Sequence, residues 1–457
     1  MSEAGRKEKV LHRLFSWTHY LYETLMLAAA GVVIGVVVSL FEVVFSYGLQ
    51  LMNEIHHDYG SCWWLLSLPF AGLLIAWMFS RFGKTAKQGM SLVFKINQGK
   101  ARWIPKRTIT LMTLATWLSQ LAGASVGKEG VGMQIGATVS HVIGRSIPFF
   151  KKEKTVFLIT GMAAGFAGLF GTPFTSVFFA MEVLVSGALQ YRALAPAICA
   201  ALSASMVSAW CGLSKEAFYL ADAIPFDLGA LWWKLLLLGI LFGAVGGLFA
   251  WSMHQAHHFF ETRFPSPYRR IFFGGIGAAL LLWICMDGRY SGSGMNLITA
   301  AFTNGAIYPW DFALKFFLSM LCLSVGFIGG EVTPLFAIGS SLGFVLAGFF
   351  GLPPAFGAAL GYAAVFGAGT NTWLASMMIG MEIFGWQFFP FFFVVCSAAY
   401  LVNGNLSIYA LQRKLEPVFV KEDEPKVSDS LVLDVVPDGH PENLCEPSNG
   451  DLNEPDV

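Results

Sequence analysis

The chain has 457 residues, 55% hydrophobic and 13% charged, with 29 basic and 29 acidic side chains. A soluble protein of this size carries about a quarter charged residues, so the composition excludes an ordinary soluble enzyme or binding domain. Mean hydropathy is +0.61, which is how a chain that lives in a bilayer reads.

The N-terminus, MSEAGRKEKVLHR, is basic and has no short apolar core with a cleavage site behind it. The positive-inside rule predicts a cytosolic N-terminal segment over residues 1–22. Apolar runs follow at Thr24 to Met52, Cys62 to Ser80, Thr155 to Met181, Leu231 to Trp251 and Pro354 to Phe384. Many of the hydrophobic segments are shorter than the roughly 20 residues of a simple span. Glycine interrupts others, which predicts broken and half-length helices. Residues 421–457 hold eleven acidic and two basic residues, so the remainder holds 27 basic against 18 acidic. The end, 416–457, reads as a disordered acidic cytosolic tail. The cationic remainder suits an anion pathway, and equally suits loops beside anionic lipid. The seven cysteines are scattered without metal spacing, as small buried hydrophobes are.

Self-similarity is the strongest internal signal. TGMAAGFAGLFGTPFTSVFFAMEVL from Thr160 aligns without gaps to LGYAAVFGAGTNTWLASMMIGMEIF from Leu360. Glu182 pairs with Glu382, Thr172 with Thr372 and Gly161 with Gly361. GMSL at Gly89 pairs with GMNL at Gly294, and the turn around Glu129 with the turn around Glu331. Three ordered matches at one offset mean duplication. Membrane repeats are expected at 23–213 and 214–415, meeting at a midplane site built from discontinuous helices. The exposed amides and dipole ends of such helices attract anions.

Two motifs carry the chemistry. GKEGVGMQIG spans Gly127 to Gly136, where Gly127 and Gly130 permit a tight turn opening a helix. Glu129 within it is a carboxylate between apolar runs, costly unless paired or functional. It is either a structural cap paired with Lys128 or a gate that occupies the anion site when ionised. GFIGGEVTPLFAIG is the counterpart, with Glu331 as a second acid, Thr333 as a hydroxyl donor and Pro334 suited to a first helical turn. Tyr409 reads by spacing alone as an interfacial aromatic. The GxxxG spacings Gly132/Gly136 and Gly161/Gly165 allow close helix approach and say nothing specific.

GKEG followed by QIG resembles the GREGP motif of the CLC anion channels and transporters, and GGEVTP resembles their GGxFxP motif. The resemblance runs over roughly residues 20–415. It implies an all-α polytopic fold of two inverted-repeat halves around a central anion site. The departures are informative. Met90 stands where chloride-handling members have a serine, Val131 where they have proline, and Val183 where proton-coupled chloride members carry a second glutamate. Met90, GKEGV, EVTP and Tyr409 together resemble the bacterial fluoride-exporting branch, although that branch keeps arginine where Lys128 stands.

By that resemblance the protein is a fluoride/proton antiporter of a bacterial inner membrane, energised by protons. Chloride/proton exchange or a chloride channel is the alternative. Met90, Gly127, Gly130, Val131, Val332, Thr333 and Tyr409 are the implied anion contacts, and Glu129 and Glu331 the gating and proton-coupling acids. The bilayer and a second copy, as a homodimer, are the expected partners, with no cofactor and no nucleic acid. An intramembrane hydrolase is the contrasting class. SGSG at Ser291 suits a serine protease superficially, but the histidines (His56, His57, His254, His257, His258) read as terminal and loop residues rather than partners of Ser291 or Ser293.

Overall fold

Inside a bilayer every backbone N–H and C=O must find a partner within the protein, and helices satisfy this locally. The computed structural model describes residues 3–415 apart from 60–61, 84, 152, 214–217, 219, 221–227 and 304. The acidic tail lies outside the described residues. The first eight helices are α1 (Glu3–Tyr59), α2 (Leu68–Phe82), α3 (Met90–Asn97), α4 (Arg107–Leu121), α5 (Glu129–Ser146), α6 (Lys154–Phe170), α7 (Pro173–Val183) and α8 (Leu194–Trp210). The second eight are α9 (Leu228–Arg263), α10 (Pro267–Ile284), α11 (Met295–Phe302), α12 (Asp311–Val325), α13 (Val332–Phe350), α14 (Pro354–Thr370), α15 (Trp373–Phe384) and α16 (Phe389–Val402). Among the described residues five stretches are helical, long and apolar enough to cross a membrane, including Trp17–His56 and Leu231–Arg263. α1 passes residue 22 without a break.

The long apolar runs break where the backbone dictates. Thr155 to Met181 becomes α6 and α7, because Gly171 turns left-handed at φ 64° and Pro173 opens the next helix. Pro354 to Phe384 becomes α14 and α15 at the same place. There the left-handed residue is Asn371, at φ 57°, its side chain donating to Asn405 Oδ1 at 2.6 Å.

The two sets of eight helices are inverted repeats. α3 and α11 each have eight residues, α4 and α12 fifteen, α6 and α14 seventeen. α5 packs on α6 as α13 packs on α14, and α1 on α8 as α9 on α16. The halves join through elements that meet their own counterparts, α2 with α10 and α7 with α15. The duplicated glutamates make the second joint. Glu182 accepts the first amides of α15, from Trp373 at 2.7 Å and Ala375 at 3.1 Å. Glu382 accepts the first amides of α7, from Phe174 at 3.2 Å and Thr175 at 2.8 Å, and the Thr175 hydroxyl at 2.7 Å. Each half thus supplies the carboxylate that caps a helix of the other.

The glycine spacings have a structural reading after all. A Cβ on Gly136 would lie 2.1 Å from the Gly161 carbonyl oxygen, and one on Gly165 2.4 Å from that of Gly132. α5 and α6 therefore touch backbone to backbone, and Gly339 against Gly361 does the same for α13 and α14.

Candidate functional site

The two glycine turns meet. Gly127 N donates to Gly330 O at 2.7 Å, and Gly330 N returns a bond to Gly127 O at 2.9 Å. Closeness, rather than an unusual backbone angle, demands glycine here. A Cβ on Gly127 would lie 2.8 Å from Gly330 O, and one on Gly329 2.5 Å from Val126 Cβ. At the other duplicated turns, Gly89 and Gly294, the left-handed φ of 57° and 95° is itself the requirement. The bridge brings the N-termini of α5 and α13 face to face.

Glu129 is the first residue of α5 and is fully buried. Its Oε2 accepts the amides of Lys128 and Thr333, each at 3.0 Å. Its Oε1 accepts the Thr333 hydroxyl. An ionised carboxylate only accepts, and here three donors face it. It lies across the opening turn of α13, where unpaired amides and the helix dipole attract negative charge. Glu331 is the residue before α13 and is half-buried. It leans over the α5 turn, with Oε2 3.3 Å from where a Cβ on Gly130 would stand.

Cavities flank this junction. One, of about 540 Å³, is lined by Met90, Phe94, Gly130, Val131, Glu331 and Tyr409, with Lys87, His254, His257, His258, Glu261 and Arg270 on its wall. The other, of about 570 Å³, is lined by Ser46, Glu54, Gln120, Lys128, Ser293 and Met295. Lys128 thus faces one cavity and Gly130 the other, with Glu129 between them in the chain. Met90 and its repeat counterpart Met295 line opposite cavities, as an inverted pair must.

Of the residues expected at the site, Met90, Gly130, Val131, Glu331 and Tyr409 share the first cavity. Glu129 and Thr333 bind one another, and Gly127 forms the bridge. Val332 is buried and lines neither cavity. Tyr409 is buried with its ring 5.4 Å from Phe94, rather than exposed at an interface, and its hydroxyl has no protein partner. Buried Gln134 Nε2 and Ser324 Oγ also lack partners and belong to side chains lining this cavity.

Residues 71–404 match the family model described as "Voltage gated chloride channel". The chain belongs to the CLC family. It is 34% identical over 361 residues to a "Chloride/fluoride channel protein" of Pseudomonas syringae pv. tomato, covering 77% of this chain and 78% of that one. An "H(+)/Cl(-) exchange transporter ClcA" of Yersinia pestis bv. Antiqua (strain Angola) is 25% identical, covering 83% and 84%. Among solved structures, a CLC-type fluoride/proton antiporter is 44% identical with a TM-score of 0.83, over 86% of this chain and 99% of that one. A slow cyanobacterial Cl⁻/H⁺ antiporter shares the fold, with a TM-score of 0.73 at 22% identity over 84% and 96%.

The CLC fold corrects the reading of the histidines. His254, His257 and His258 sit in the last turns of α9, which continues past its apolar run, and they line the Met90 cavity. His56 Nε2 comes within 3.5 Å of Ser291 Oγ, a pairing hidden by 235 residues of separation. The Ser291 hydroxyl donates instead to Gly288 O at 2.7 Å, so its proton is committed to the turn. Gln134 and Ser324 were missed because a lone polar side chain in an apolar helix carries no periodic signal. The QIG that follows GKEG was the available clue.

Proposed function

We propose that this CLC protein is a proton-coupled halide antiporter that exports fluoride in exchange for protons, with Glu129 as its gate. The observation carrying this is that Glu129 takes the N–H and O–H donors of Thr333, the groups an anion would need. Ionised Glu129 competes with a halide for those donors. Protonated Glu129 loses that competition and frees them, so anion and proton occupancy become linked. Fluoride enters through the cavity of Met90 and Tyr409, and protons through that of Lys128. Glu331, on the wall of the first cavity beside Gly130, carries the proton onward.

Fluoride rather than chloride is favoured by Met90 with the GKEGV and EVTP variants, and by the 44% identity to a protein described as a fluoride/proton antiporter. In this reading the protein works in a bacterial inner membrane as a homodimer, and its membrane repeats are 23–213 and 214–415. Purified protein in liposomes, with fluoride and chloride electrodes and an internal pH dye, tests it. Fluoride efflux should greatly exceed chloride efflux. Equal rates would assign chloride/proton exchange, the activity named for the Yersinia relative. Glu129→Gln should abolish coupled proton movement. Continued proton pumping by that variant on a fluoride gradient would make Glu129 a structural carboxylate.

A further inference from the structure

The surplus of basic residues outside the tail has one concentrated location away from the pathway. A cavity of about 420 Å³ is lined by Arg102, His141, Gly144, Arg145, Phe150, Lys151, Lys154 and Phe157. Its four Lys/Arg side chains come from separate places: the segment before α4, the last turn of α5, the α5–α6 connection and the start of α6. Its lining contains no acid. Among the described residues none of the four makes an ion pair. The acid nearest in sequence, Glu153, lines the adjoining cavity with Arg102, Lys154 and Arg192, and its carboxylate accepts from Arg192 at 2.6 Å rather than from any of the four. His141 is buried, and its Nε2 has no hydrogen-bond partner. Phe150 and Phe157, with ring centroids 5.1 Å apart, form an apolar wall. Gly144 lets α5 close on that wall, since a Cβ there would lie 2.5 Å from Phe157.

Like charges gathered without a counter-ion repel one another, and a multivalent anion relieves that repulsion. Arginine guanidinium groups match phosphate oxygens in a fork, while lysine adds point charge. Arg192 also reaches Glu23, at 3.5 Å, so this cavity lies on the face where the α1 N-terminal end emerges. The basic N-terminus assigns that face to the cytosol, where anionic lipid headgroups concentrate.

We infer that the Arg102–Arg145–Lys151–Lys154 cavity is a binding site for a phosphate-bearing anion, separate from the halide pathway. The inference stands on this cavity alone and not on the transport reading. The test uses the full-length protein in neutral detergent, followed by intrinsic tryptophan melting. The titrants are dioctanoyl phosphatidylglycerol, dioctanoyl phosphatidylcholine and inorganic phosphate. Phosphatidylglycerol should raise the melting temperature saturably and phosphatidylcholine should not. Arg145→Gln/Lys154→Gln should weaken the phosphatidylglycerol response about thirtyfold, the equivalent of about 2 kcal/mol at roughly 1 kcal/mol per basic side chain. If that double variant does not fold, Lys151→Gln, at an exposed position, should weaken it about fivefold. Saturation by inorganic phosphate at matching affinity supports the site and assigns a soluble source. Saturation by phosphatidylglycerol alone supports it and assigns a lipid headgroup. Equal response to the two lipids, or unchanged response in the variants, overturns the inference.

Discussion

At the scale of single residues, the site separates groups that hold the fold from groups that wait for a ligand. Thr333 already spends its hydroxyl on Glu129, while Tyr409, Gln134 and Ser324 keep polar atoms buried and unpaired. A buried donor without a partner costs about 1–3 kcal/mol, so removing one should not harm the fold. Tyr409→Phe and Gln134→Leu should therefore melt at or above the wild-type temperature. Each should weaken fluoride binding by roughly tenfold to a hundredfold, the range for one hydrogen bond to a charged group, as read by titration calorimetry. Thr333→Val should weaken binding similarly and also free Glu129 from the Thr333 hydroxyl. A fluoride isotherm identical to wild type in all three would remove them from the pathway. Thr333 and Tyr409 were legible as candidates, Thr333 from its motif and Tyr409 from the family resemblance alone. Gln134 was not, because its significance depends on Met90 and Tyr409 sharing its cavity.

Among elements, backbone contact between helices sets the tolerance to change. α5 meets α6 at Gly136 and Gly161, and α13 meets α14 at Gly339 and Gly361, backbone against backbone. Inserting atoms into such contacts typically costs 1–3 kcal/mol or more. Gly161→Ala and Gly361→Ala should each lower the melting temperature in detergent, whereas Gly277→Ala, where a Cβ meets nothing within 4 Å, should not. An ion pair between buried Asp311 and half-buried Arg289 fixes the start of α12. Asp311 accepts from Arg289 Nη2 at 2.8 Å, the Tyr290 hydroxyl at 2.6 Å and the Tyr308 amide at 3.0 Å. Asp311→Ala should cost about 1–3 kcal/mol, the range for leaving a buried donor such as the Tyr290 hydroxyl without its acceptor, read by chemical unfolding. The half-length helices were legible from glycine and apolar run length. Their break points needed Pro173 and the left-handed Gly171 and Asn371. The GxxxG spacings gave no partner, because a small-residue stripe reports that a helix can approach another and not which one.

For the whole molecule, the duplication was plain in the sequence, and so was the expectation that the two halves meet at a midplane site. What joins the halves was not. Glu182 and Glu382 align as a repeat pair, but nothing in their local sequence names a partner for either carboxylate. Their partners lie 191 to 208 residues away, beyond any local pattern. Glu382→Ala should destabilise the protein about as much as Glu182→Ala, since each uncaps the helix of the other half. A double variant should cost roughly the sum, because the two caps share no partner.

That exchange of caps has a consequence during synthesis. The opening amides of α7 have their carboxylate 208 residues downstream, from Phe174 to Glu382. At about 5–20 residues per second the ribosome needs roughly 10–40 s to deliver it. For that interval a nascent first half holds bare N–H groups that lipid cannot satisfy. Chains stalled before residue 382 should leave Thr175→Cys open to a membrane-permeant thiol reagent. Chains stalled well after it should protect that cysteine, marking the moment at which the second half finishes the first.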